Sequence, residues 1–529
     1  MSTAEPDHSG LRTRGYSLRQ RIGLILGVVL FIAVLLMPPP SDMSLQAKRA
    51  AAVAALMASW WIFEAAPIPV VALLPLALYP ALRVLDAKDA AAPYANHNIF
   101  LFLGGFMIAL AMQKWGLHRR LALHVVRVLG ANPRRLILGF MVATAAISMW
   151  ISDTATAMMM APIALAVIYH VFGERPVEEV LASEERRHVN FASALMLCVA
   201  YASVIGGVGT LVGTPPNIVF KGQLRELFPD APELTFTQWM MVGIPAVAIL
   251  LPLVWLWVTR AALPVGLAEL PGGRAVVQEQ LGRLGPMNRG EKVVLTVFVL
   301  VVVAWLTRAD VEVGAFTIRG WASVLGVGKF AKDSTVAIAA GVLLFLIPVD
   351  LKRGQFALDW EWMSRLPWGI LVLFGGGFSL AASFEKTGLS EWLGGRLAVL
   401  QGAPAILMIF ATCLLLTFLT EMTSNTATAT IMMPVLAATA VAAGYHPLLL
   451  MMPAAMSASC AFMLPVATPP NAIVFGSGYI SIPQMAKTGL GLNLIGAVVI
   501  TLLTYFVAVP AFNIGLTSAP AWAHQGWAP

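Results

Sequence analysis

Apolar runs dominate the chain. They fall near 22–37, 50–82, 99–112, 136–171, 190–219 and 237–262, then near 293–306, 335–348, 368–383, 403–419, 426–443, 446–464 and 489–510. Several approach or exceed the ~20 residues that span a bilayer as a helix. They must be helical, because a helix satisfies its own backbone polar groups in hydrocarbon. A transmembrane barrel would alternate apolar and polar residues over about ten positions, and these runs do not. The pattern predicts an all-α polytopic membrane protein. A polar stretch at 263–292 separates a first transmembrane half, 22–262, from a second, 293–515, with tails at 1–21 and 516–529. Residues 307–334, rich in glycine and charge, are predicted to be a surface loop. His118 to Val128 suits an amphipathic helix on the membrane surface or the basic end of a spanning helix.

Composition agrees. Of the 529 residues 59% are hydrophobic and 12% charged, against roughly 25% charged in a soluble domain. The net charge of +7 lies in loops between apolar runs. It reads as orientation signal rather than as a nucleic-acid surface, so no nucleic-acid partner is expected; the lipid bilayer is. Arg12, Arg14, Arg19 and Arg21 place the N-terminus in the cytoplasm of a multi-pass inner (plasma) membrane protein. The run they precede ends in Pro38-Pro39-Pro40 with no small-x-small cleavage site, so it reads as the first spanning helix and not as a signal peptide. Cys198, Cys413 and Cys460 lie in apolar sequence without Cys-x-x-Cys spacing, as packed thiols.

The two halves repeat, from about residue 95 and about residue 367. Gly104-Gly105-Phe106 matches Gly376-Gly377-Phe378. At the same offset Lys114 meets Lys386, Ser152 meets Ser424, and Thr154 to Ala157 meet Thr426 to Ala429. Thr214-Pro215-Pro216-Asn217 matches Thr468-Pro469-Pro470-Asn471 at a shorter offset, the difference fitting a charged loop from Arg175 to His188 in the first half. The residues leave parallel and inverted duplication open; internal repeats of secondary transporters are often inverted.

Two pairs of polar interruptions sit deep in apolar sequence. One pair is Ser148 to Thr154 and Thr420 to Thr426. The other is Gly213 to Asn217 and Ala467 to Asn471. Consecutive prolines cannot continue a helix, and broken backbone at membrane depth survives only packed in protein or lining a cavity. Freed carbonyls with Ser, Thr and Asn oxygens suit a small hard cation. Half-helix N-termini suit an anion. Neither Lys nor Arg occurs in the four motifs, so anion charge must be met by bound cations, helix ends and hydroxyl or amide donors.

These paired Ser-Asn-Thr-like and Thr-Pro-Pro motifs, with Pro367-Trp368-Gly369-Ile370 leading into Gly375-Gly376-Gly377, resemble those of the divalent anion:sodium symporter (DASS) family of dicarboxylate, citrate and sulfate transporters. The resemblance runs from about residue 50 to 510. It implies about eleven spanning helices plus two re-entrant hairpins in two inverted repeats, the hairpins around 99–116 and 369–388. It also implies an elevator-type ion transporter fold and a homodimer. One sodium site would use Ser148, Ser152, Asp153 and Gly213; the other Thr420, Thr423, Asn425 and Ala467. The substrate, a small di- or tricarboxylate, would meet Asp153, Thr154, Thr214, Pro215, Ser424, Asn425, Thr426, Thr468 and Pro469.

Position 153 departs from that pattern, where asparagine stands in both repeats. A carboxylate inside a membrane is a functional-site hypothesis by default. Three readings of Asp153 stay open: ionised and holding sodium, protonated and admitting proton coupling, or turned away as a helix cap. The coupling ion expected is Na+, with H+ through Asp153 as the alternative. A sodium-independent dicarboxylate exchanger and a sulfate transporter stay open beside a sodium-coupled dicarboxylate symporter. Glu421 either shapes the cation site or pairs with a polar neighbour, and Lys114 and Lys386 are expected as interfacial anchors. No enzyme is expected: a His-Glu-x-x-His motif is missing, and His97, His118 and His124 join no catalytic constellation.

Overall fold

The structure, a computed structural model, describes residues 16–40, 42–128, 132–172, 186–266, 273–313, 316–397, 402–516 and 518–524. Most of the two tails and most of the charged loop from Arg175 to His188 lie outside them. The apolar runs form helices, and their starts are written in the sequence. Ser17, Thr235, Asn288 and Ser481 each cap a helix whose third residue, Gln20, Gln238, Glu291 or Gln484, bonds back to the cap, which satisfies two otherwise orphaned donors. Among the described residues, seven helices are long and apolar enough to cross a membrane: Leu18–Leu36, Ala87–Lys114, Val189–Val208, Phe236–Ala262, Trp368–Thr387, Asn425–Ala442 and Ile482–Ala511. Four more apolar ones are shorter. Extended structure is limited there to two small antiparallel hairpins, Val311–Val313 with Phe316–Ile318 and Pro348–Asp350 with Gln355–Phe356.

The helix–turn–helix units do not fall where the resemblance puts hairpins. Residues 99–116 belong to the continuous helix His97–Lys114 with the turn that follows it, and 369–388 to Trp368–Thr387. The tight turns join Pro133–Ser148 to Asp153–Phe172 and Ala405–Thr420 to Asn425–Ala442. The repeated glycines serve contact instead of a break. A Cβ on Gly104 would lie 2.5 Å from the backbone of Ala337, and one on the matched Gly376 2.3 Å from Ala72 O, so each lets its helix touch another backbone.

The Thr-Pro-Pro helices are exchanged between halves. Pro215–Leu227 packs on Trp368–Thr387, Asn425–Ala442 and Leu448–Ser459, and Gln223 Nε2 donates to Gly377 O (3.1 Å) and Thr430 O (3.0 Å). Pro469–Phe475 packs on Arg186–Val208 and Asp153–Phe172. A site built at these helix starts is therefore shared by both halves.

The polar linker contains a helix, Gly273–Leu284, against the amphipathic helix Leu117–Val128. Arg120 of the latter is buried on Glu291, at 2.7 Å from Oε1. Residues 307–334 are not a simple surface loop. Arg308 and Asp333 at their ends are buried, 2.6 Å apart, and Lys221 lies 3.0 Å from Asp333. Charges that leave water stay ionised only when paired, so this cluster pins the excursion to the helix Pro215–Leu227.

Candidate functional site

The first tip turn follows Ser148 and runs 149–152. Ser148 Oγ donates to Ser203 O at 2.5 Å. Ser152 caps the next helix, accepting from Ala155 N at 3.4 Å. Asp153 Oδ1 accepts from Thr154 N at 2.7 Å and lies 3.3 Å from Thr154 Oγ1, so this carboxylate already serves its own helix start. The tip is held from outside by aromatics: Trp150 stacks on Phe236 and Trp305, with centroids 6.1 and 6.5 Å away.

The second tip turn, 421–424, is built differently. Thr420 Oγ1 lies 2.7 Å from Asn425 Oδ1 and 2.9 Å from Ala458 O. Thr423 Oγ1 bonds Leu419 O at 2.8 Å and Thr428 Oγ1 at 2.5 Å. Ser424 stands at the helix start without a side-chain capping bond. The first-turn N–H groups of that helix have no partner within the helix itself.

In both Thr-Pro-Pro turns the prolines occupy the first two helical positions. Proline fits there, but it carries no N–H. These two helix starts therefore offer an anion fewer donors than the motif suggests in sequence. The third residue compensates by holding the turn from behind. Asn217 Nδ2 donates to Thr210 O (2.7 Å) and Gly207 O (3.2 Å). Asn471 Nδ2 donates to Leu464 O and Ala461 O, both at 3.1 Å. Gly213 lies against Gly207, where a Cβ would come within 2.5 Å of Gly207 O.

All four turns meet at one cavity of about 600 Å³. Of the residues named from sequence, Asp153, Thr154, Thr214, Pro215, Thr423, Ser424, Asn425, Thr426, Ala467 and Pro469 line it. Ser148, Ser152, Gly213, Thr420 and Thr468 do not: Ser148, Gly213, Thr420 and Thr468 are buried behind it, and Ser152 caps the helix start. Thr468 caps Asn471 N at 3.3 Å. Asp153 is not turned away. It lines the cavity while capping.

Glu421, Asn217 and Asn471 lie within the motifs and act as supports, whereas Arg19 lies outside them. Glu421, 4% exposed, is a clamp: Oε1 accepts from Phe462 N (2.7 Å), Met463 N (2.9 Å) and Asn493 Nδ2 (2.8 Å), and Oε2 from Leu464 N (3.1 Å). It pairs with neighbours and holds the chain that leads into the second Thr-Pro-Pro turn. Asn217 and Asn471 are the struts. Arg19, from the first helix, lines the cavity with Glu64; nothing local in the sequence ties it to residues some four hundred positions away. Lys114 and Lys386 stay outside the cavity, each 2.6 Å from an acid, Asp359 and Asp89. Among the described residues no three His, Cys, Asp or Glu side chains gather as a metal site.

Residues 18–509 match the family described as the sodium:sulfate symporter transmembrane region. The chain belongs to the divalent anion:sodium symporter family. As a member of that family it is a multi-pass membrane transporter and not an enzyme. The DASS assignment extends over nearly the full length of known relatives. The chain is 44% identical to the sodium-dependent dicarboxylate transporter SdcS of Staphylococcus saprophyticus over 509 residues, covering 95% of this chain and 94% of the relative. It is also 44% identical to SdcS of Staphylococcus aureus over 497 residues, covering 94% and 92%. Two solved transporters share the fold at low identity. Neisseria gonorrhoeae MtrF, described within a class of antimetabolite efflux pumps, aligns with TM-score 0.56 at 13% identity over 96% of this chain and 98% of its own. The Alcanivorax borkumensis YdaH transporter aligns with TM-score 0.54 at 16% identity over 82% and 90%.

Proposed function

We propose that this DASS chain is a sodium-coupled carrier of C4-dicarboxylates or related di- and tricarboxylates. The observation that supports it is the single cavity lined by both tip turns and both Thr-Pro-Pro turns. The 44% identical relatives named as sodium-dependent dicarboxylate transporters support the same reading.

The charge balance gives the coupling logic. The charged side chains lining the cavity are Arg19, Glu64 and Asp153, one cation against two carboxylates. A dianion entering that field is repelled, and at a few ångströms each unit charge counts for several kcal/mol at an effective dielectric of about 20. Bound sodium reverses the sign. Ser148, Ser152, Asp153 and the Gly213 carbonyl form the first cation site, and Thr420, Thr423, Asn425 and the Ala467 carbonyl the second. Hard oxygens are what sodium prefers. Asp153 gives the first site a carboxylate oxygen where the second has the amide of Asn425. The substrate carboxylates then meet Thr154, Thr214, Ser424, Asn425 and Thr426 beside the walls Pro215 and Pro469, with Asp153 as the shared edge between ion and anion and Thr468 behind them as the cap of Asn471 N. The two repeats are inverted and the tip turns are re-entrant. The carrier works as a homodimer by elevator motion, in the plasma membrane, with its N-terminus in the cytoplasm.

Uptake of labelled succinate into proteoliposomes tests this, with sodium replaced by choline and with citrate and sulfate as competitors. Sodium-dependent succinate uptake inhibited by citrate is expected. Equal uptake in both buffers removes sodium coupling, and no saturable succinate uptake removes the dicarboxylate.

A further inference from the structure

We propose that Arg19 is a specificity-determining residue that receives one carboxylate of the incoming dianion at the rim of the cavity. The inference rests on the dicarboxylate reading above and adds to it a cationic contact that none of the four motifs contains.

Among the described residues Arg19 is the one cationic side chain lining the cavity. It is exposed, and it is held. Its Nη2 donates to Ile62 O and to Met422 O, each at 2.6 Å. The helix start that carries it is fixed by the Ser17–Gln20 capping box, by Gln20 Nε2 on Glu64 O at 3.3 Å and by Tyr16 OH on Ala65 O at 3.2 Å. The guanidinium is therefore placed before any substrate arrives. It has five N–H donors in a planar fork, and only Nη2 is engaged. The remaining donors match a carboxylate, which a guanidinium binds through paired bonds.

The contact to Met422 gives the position its meaning. Met422 belongs to the second tip turn and is 66% exposed. The first tip has Trp150 stacked among aromatics, whereas the second is tied to the helix pair Leu18–Leu36 and Leu45–Ile62 through this guanidinium. A carboxylate on Arg19 enters the same cavity that Ser424, Asn425 and Thr426 line, where Asn425 Nδ2 is held only by a long contact to Ser459 O at 3.5 Å. Glu64 shares the rim, so the pair is not a general anion trap. What Arg19 supplies is directional recognition of a planar carboxylate.

Arg19→Gln and Arg19→Lys, in proteoliposomes at saturating sodium, separate recognition from support. For Arg19→Gln the KM for succinate is expected to rise about tenfold, the loss of a charged hydrogen-bonding partner, with Vmax within about twofold of the parent. The preference for succinate over its monomethyl ester should shrink with it. Arg19→Lys should fall between, because an ammonium keeps the charge without the fork. Unchanged KM and unchanged ester preference in both variants overturn the inference and leave the dicarboxylate reading intact. A lower Vmax with a lower melting temperature in detergent, at unchanged KM, also overturns it and makes Arg19 a strap only. No succinate uptake by the parent protein overturns the reading beneath it.

Discussion

Asn217 and Asn471 occupy the same place in the two halves, each sending Nδ2 to carbonyls seven and ten residues upstream. Two prolines at the helix start cannot brace the turn before them, because they have no N–H. The next residue braces it with its side chain. Both amides are fully buried, so each bond is made without competition from water.

Removing a strut takes the side-chain donor from the carbonyl ten residues upstream and leaves the one seven upstream with only a backbone N–H, Gly213 N on Thr210 O at 3.4 Å or Ala467 N on Leu464 O at 3.2 Å, at about 1–3 kcal/mol for a stranded group. Asn217→Ala and Asn471→Ala should each raise the sodium concentration for half-maximal uptake about tenfold, the equivalent of ~1.4 kcal/mol. Sodium activation curves in proteoliposomes check this. An unshifted curve shows that the turns keep their shape unaided.

The matched pair Asp153 and Asn425 should respond unequally. Asp153→Asn retains an oxygen for the ion and should leave sodium-dependent uptake with a raised sodium requirement. Asn425→Ala removes both amide groups from the cavity wall and should lower uptake at least about a hundredfold, the scale of losing a positioned polar contact. Initial rates across a sodium series distinguish the two.

Glu421 is expected to matter for the fold more than for charge. Glu421→Ala strips the acceptor from three backbone N–H groups and from Asn493, at about 1–3 kcal/mol for each stranded group. The melting temperature in detergent should fall sharply. Glu421→Gln keeps one acceptor oxygen and should be intermediate.

Asp333 is buried between Arg308 and Lys221 and accepts from Phe236 N at 3.1 Å. Asp333→Ala leaves Lys221 buried without its acid, while Arg308 keeps Glu233 at 3.2 Å, and breaking such a pair from one side costs about 3–5 kcal/mol. Thermal unfolding should show it. Adding Lys221→Met should recover part of the loss, and no recovery would place the defect elsewhere.

Much of the architecture was legible before any coordinates. The apolar runs had to be helices because lipid offers the backbone no partners, and the capped starts at Ser17, Thr235, Asn288 and Ser481 follow from local chemistry. The repeat was legible because identical residues recur at fixed offsets, and it led to the Ser-x-Thr and Thr-Pro-Pro turns. The hairpins were misplaced. A run such as Gly375-Gly376-Gly377 sits in an unbroken helix, where its missing side chains admit another backbone.

By itself, then, the sequence determined the lipid-solvated helices, the duplicated breaks and the kind of oxygen donor they carry, since each is set by residues near one another in the chain. Tertiary structure alone decided that the Thr-Pro-Pro helices cross into opposite halves, that Glu421 clamps Phe462 to Leu464, and that Arg19 reaches Met422. Those relationships join residues tens to hundreds of positions apart. Only the packing of one helix against another, which no local periodicity encodes, brings them within hydrogen-bond reach.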